Sequence, residues 1–127
     1  MKDAGDATPD LDGLLAVPCD PLILAVRIDG RPLAGLTARI DWRVAGAISD
    51  LVRDGAVPED RPLLYPAPAI LPVSRLVLWR AGAVTPADLA KLARSMGVDT
   101  PGLAPADFHL GIREVRSAFG GQVVVYA

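Results

Sequence analysis

The 127-residue sequence predicts one α/β domain built around a largely parallel sheet. Three observations lead there. Short runs rich in β-branched residues alternate with stretches whose apolar residues recur every three or four positions, the pattern of strands joined by crossover helices. A content of 51% hydrophobic and 22% charged residues supplies a core and argues against disorder. The joints between these runs are rich in Gly and Pro, the residues that punctuate secondary structure.

Taken in order, residues 1–10 are acidic and small and read as a mobile tail, leaving 11–127 as the domain. PLILAVRID (21–29) reads as a buried strand ended by the turn residues Asp29-Gly30-Arg31-Pro32. Leu36, Ile40, Val44, Ile48 and Leu51 or Val52 then mark one face of a long helix to about Arg53, stopped by Asp54-Gly55. Gly46 falls mid-helix in this reading, at a cost of about 1 kcal/mol relative to Ala. It marks either close packing or backbone approach to a ligand. RPLLYP (61–66) and SRLVLW (74–79) read as two strands.

Thr85-Pro86-Ala87-Asp88 has the residues of an N-cap, a first-turn proline and an acidic third position, so a helix starts there and buries Leu89, Leu92, Ala93 and Met96. Phe108, Ile112, Val115 and Phe119 mark a third helix, which Gly120-Gly121 ends, and QVVVYA closes the chain as a strand. The expected order is β-α-β-β-α-α-β.

Composition excludes several classes of function. Five aspartates against Lys2 give residues 1–20 a net of −4, and the remainder carries +2, too little to argue for nucleic acid as a partner. Eleven Arg against two Lys looks like codon bias of a high-GC genome. The N-terminus lacks the apolar segment of a secretory signal and Cys19 is the only cysteine, which points to the cytoplasm. No apolar run approaches the ~20 residues that span a bilayer.

The residues for chemistry are also sparse. One His and one Cys, ninety residues apart, cannot build a zinc site, so no metal and no cofactor is expected. Neither a phosphate-cradling glycine motif nor a nucleophile elbow occurs. His109 reads as a surface or satisfied histidine, and Cys19 as a buried thiol with no neighbour to favour the thiolate. Asp29, Asp41, Asp50 and Asp54 read as solvated charges and caps before they read as an acid/base pair. No catalytic residue is assigned. Trp42 and Arg43, beside Arg39, together with Trp79, are the candidate interaction surface, the alternative for Trp42 being burial against a strand.

RVAGAISDLVRDGAV (43–57), RPLLYP (61–66) and SRLVLWRAG (74–82) together resemble the N-terminal domain of the leucyl (cytosol) aminopeptidase family. The resemblance rests on a Gly-x-Ile-Ser helix core, here Gly46, Ile48, Ser49, Leu51, Val52, Arg53 and Gly55, and covers about residues 20–96. DGRPLAGLTARIDWR (29–43) also looks like stand-alone relatives of that domain in high-GC bacteria. The resemblance implies a macro-domain-like, three-layer α/β/α fold, and VAGAI (44–48) is similar to the glycine-containing helix of macro domains.

The family's metal ions and catalytic residues lie in a C-terminal domain with an Asn-Thr-Asp-Ala run, absent from this sequence. The resemblance therefore implies a non-catalytic interaction, regulatory or assembly domain with a protein partner or self-association. The alternatives are a macro-domain-type module for a small ligand such as ADP-ribose, against which the missing Gly-rich loops and early Asn count, and the non-catalytic part of a split metalloaminopeptidase.

Overall fold

The computed structural model describes residues 5–27, 32–82, 84–97 and 100–127. A six-stranded sheet forms the middle layer. Its strands in chain order are β1 (Gly5–Ala7), β2 (Leu22–Val26), β3 (Leu63–Pro66), β4 (Arg75–Arg80), β5 (Gly102–Leu103) and β6 (Val124–Tyr126), arranged β1-β6-β5-β2-β4-β3. Every neighbouring pair is parallel except β3 with β4.

The period-two geometry of strands sorts their side chains between two cores. Leu22, Leu24 and Val26 of β2, Leu76 and Leu78 of β4, and Val124 and Tyr126 of β6 line the first. It is covered by α1 (Leu11–Ala16), α2 (Gly35–Arg43) and α3 (Ala47–Arg53), through Leu14, Leu36, Ile40 and Ile48. Ile23 and Ala25, Val77, Leu103 and Val125 line the second. It is covered by α4 (Pro86–Ser95), a 3₁₀ turn (Pro105–Phe108) and α5 (Ile112–Ala118), through Leu89, Ala93, Phe108, Val115 and Phe119. The molecule is thus a three-layer α/β/α sandwich.

The structure departs from the sequence expectations in four places. Residues 5–7, expected in a mobile tail, form β1 and pair in parallel with β6, and the Ala127 N–H donates to the Ala7 carbonyl at 2.8 Å. Backbone pairing at a sheet edge makes this strand, so side-chain propensity gave no sign of it. Residues 1–4 of that tail, and Asp29, Gly30 and Arg31 of the expected turn, lie outside the described residues.

The long helix is two helices. Gly46 stands between them in the left-handed conformation, φ 83°, and Ala45 is also at positive φ. The Asp41 carboxylate reaches across the break and accepts from the N–H groups of Ile48 (2.8 Å) and Ser49 (3.0 Å) at the start of α3. Apolar spacing continues through the break because both helices cover the same core, so the periodicity did not register it.

The third helix is broken likewise. Phe108 ends the 3₁₀ turn, His109 follows at φ 57°, and α5 begins only at Ile112. The two-residue strand β5 and the six-residue helix α1 are too short to leave a periodic signal. By contrast α4 starts as its sequence predicts, with Thr85 and Asp88 forming a reciprocal capping box.

Candidate functional site

Sheet topology selects one location. The chain leaves β2 for α2 on the first face and leaves β5 for α5 on the second, while β2 and β5 are parallel neighbours. In open α/β sheets ligands bind beyond the carboxyl ends of such diverging strands. β5 stops at Leu103, opposite Ile23, whereas β2 runs on to Val26. The last residues of β2 are therefore flanked by the segment 104–111 that follows β5.

That segment is bound to the start of α2 through Asp107. Its carboxylate accepts from the Leu36 N–H at 2.9 Å. Free N–H groups and the positive end of the helix dipole make this the position a carboxylate favours. Burial pushes the Asp107 carboxyl above the usual aspartate range, although the backbone N–H groups at the start of α2 and the nearby His109 pull the other way. Gly35 permits the approach. It sits at φ 60°, and the Asp107 carboxylate fills the space a Cβ would need.

Thr37 is fully buried, and its hydroxyl donates to the Ala25 carbonyl at 2.7 Å, pinning α2 to β2. The 104–111 segment is held by its own backbone, with Leu110 N–H bonded to Pro105 O at 3.0 Å. At its far end the Glu114 carboxylate folds back over Gly111. Two carboxylates thus lie at the starts of the helices that follow β2 and β5.

The candidate interaction residues do not come together. Trp42 is 87% exposed on α2 and Arg43 is exposed beside it. Shallow grooves of about 500 and 580 Å³ flank Trp42, one lined by Asp10, Leu11, Asp12, Ala38 and Arg39, the other by Ala38, Asp41, Ala45 and Gly46. Trp79 lies on β4, half-buried against the second core, across the sheet from α2. Cys19 is buried, with its thiol pushed up to about 11 chiefly by desolvation. His109 is exposed. Among the described residues no three His, Cys, Asp or Glu gather as a metal site, and no helix is long and apolar enough to cross a membrane.

Sequence reasoning missed Asp107 and Gly35. Leu36 and Asp107 are 71 residues apart, and neither shows its role without knowing that β2 and β5 are neighbours.

No protein-family model and no curated protein sequence matches this chain. Solved structures do. The macrodomain of Mycobacterium tuberculosis DarG is similar with a TM-score of 0.61 at 15% identity, over 95% of this chain and 96% of that one. The macrodomain of Thermus aquaticus DarG is similar with a TM-score of 0.62 at 16% identity, over 97% of this chain and 99% of that one. These likenesses establish the macrodomain-like fold.

They also correct the resemblance to the leucyl aminopeptidase N-terminal domain, and with it the assembly or regulatory role and the split-peptidase alternative that rested on it. The residues behind that resemblance, Gly46, Ile48 and Ser49, are a helix break and the first turn after it, capped by Asp41. The need for a left-handed residue and a capped helix start accounts for such a pattern without common descent.

Proposed function

We propose that this chain is a macrodomain-type module that binds ADP-ribose or a closely related nucleotide at the carboxyl ends of β2 and β5. The observation that carries the reading is the likeness to two macrodomains over nearly the whole chain, with the divergence of the β2 and β5 connections supplying the crevice. The expected ligand is small.

The reading is of binding without catalysis. Asp107, the half-buried carboxylate at the crevice, accepts from the Leu36 N–H at 2.9 Å and lies over Gly35, which commits it to holding the start of α2. Cytoplasmic placement belongs to the same proposal, in keeping with a lone buried thiol.

Isothermal titration of the purified chain with ADP-ribose, AMP and ribose 5-phosphate tests the binding. Saturable one-to-one binding of ADP-ribose, tighter than of either fragment, is the expected result, and absence of binding across the panel rejects it. Incubation with a mono-ADP-ribosylated protein is expected to release no ADP-ribose, and sustained release would overturn the non-catalytic part.

A further inference from the structure

The segment that follows β5 straddles the end of the sheet. Phe108 is buried in the second core, yet its neighbour Asp107 reaches the start of α2, a helix that covers the first core through Leu36. This one turn of chain is therefore anchored to both helical layers. Its own backbone stiffens it, with Asp107 N–H bonded to Ala104 O at 3.1 Å, His109 N–H to Ala106 O at 3.0 Å and Leu110 N–H to Pro105 O at 3.0 Å. On the other side, the Thr37 hydroxyl fixes α2 to the Ala25 carbonyl of β2. These two stiff pieces are joined by the 2.9 Å hydrogen bond from Leu36 N–H to the Asp107 carboxylate, which lies over Gly35.

We propose that this contact is a clasp: it holds the segments leaving β2 and β5 in the relative placement that suits a ligand spanning the two strand ends, which makes Asp107 a positioning residue for that ligand. The identity of the ligand rests on the nucleotide-binding reading; the clasp does not.

A ligand that touches both segments needs them in one relative placement, and ordering them at the moment of binding lowers affinity. With the clasp open, only the fraction of molecules whose segments are correctly placed is competent, and the apparent affinity falls by that fraction. A hydrogen bond to a charged group is strong enough to shift such a fraction by about tenfold or more. The requirement at position 107 is an acceptor oxygen rather than the negative charge, because burial already disfavours the charged form. Asparagine supplies that oxygen. Gly35 offers a second handle. A Cβ there would take the space of the Asp107 carboxylate, so G35A opens the clasp without altering Asp107 itself.

The wild type, D107A, D107N and G35A are compared at a temperature where circular dichroism shows each to be folded. ADP-ribose affinity, measured by calorimetry, should fall about tenfold or more in D107A and in G35A, and stay within about threefold of the wild type in D107N. The double variant should lose less than the two single losses combined, since both open one contact. In the wild type itself, saturating ADP-ribose should slow hydrogen exchange of the Leu36 amide, because the ligand selects the closed clasp. That arm holds even where a variant fails to fold.

Equal ADP-ribose affinity in the wild type and folded D107A, a D107N as weak as D107A, or a Leu36 amide that exchanges no more slowly with ligand would overturn the proposal. Absence of ADP-ribose binding in every protein removes the nucleotide reading instead. Hydrogen exchange then decides the clasp alone: faster exchange of the Leu36, His109 and Leu110 amides together in D107A leaves it standing without its ligand, and unchanged exchange removes it too.

Discussion

Asp41 and Asp107 perform one physical task at two helix starts, Asp41 accepting from the N–H groups of Ile48 and Ser49 and Asp107 from that of Leu36, groups that the helices leave unpaired. Removing the Asp41 carboxylate in D41A should cost about 1 kcal/mol, within the range for lost caps, measurable by urea denaturation. T37V leaves the Ala25 carbonyl buried without its 2.7 Å donor and should cost about 1–3 kcal/mol, the penalty for an unsatisfied buried group.

Cys19 gives a prediction of reactivity. Its thiol, pushed up to about 11 by burial, stays protonated near neutral pH, and only the thiolate attacks. A disulfide reagent at pH 8 should label the native chain far more slowly than the denatured one. Comparable rates would contradict the burial.

Caps formed within one turn, such as Thr85 with Asp88, were legible in the sequence because their partners lie three residues apart. The contact of Asp107 with Leu36 spans 71 residues and was not.

Among the elements, the break between α2 and α3 has the sharpest consequence. A glycine inside a helix is worse than alanine by about 1 kcal/mol, so the continuous helix expected from periodicity makes G46A stabilising. With Gly46 at φ 83° and nothing within 4 Å of its added Cβ, the sign reverses. G46A should destabilise by about 1–2 kcal/mol, the left-handed penalty for a residue with a Cβ. Equilibrium unfolding decides between the two signs. Periodicity identified which residues of 36–52 face the core but carried no information on helix continuity, because α2 and α3 bury Leu36, Ile40 and Ile48 in the same cluster. β1 and β5 escaped notice for a related reason: at three and two residues they exist through pairing with β6.

For the whole molecule, apolar patterning was enough to give an α/β domain with a largely parallel sheet. It could not give the strand order, and the divergence of the β2 and β5 connections is a property of that order. Only when β5 is seated beside β2 do the start of α2 and the segment 104–111 become neighbours. The candidate surface of Trp42, Arg43 and Trp79 was drawn without that knowledge and divides across the sheet. A functional reading taken from local resemblance therefore gave way to one taken from topology, in which likeness to macrodomains along nearly the full chain and the diverging β2 and β5 connections agree. Calorimetric titration of the wild-type chain with ADP-ribose tests that reading most directly. Saturable one-to-one binding, tighter than that of AMP or ribose 5-phosphate, is the predicted result, and no binding of ADP-ribose by the folded protein would contradict it.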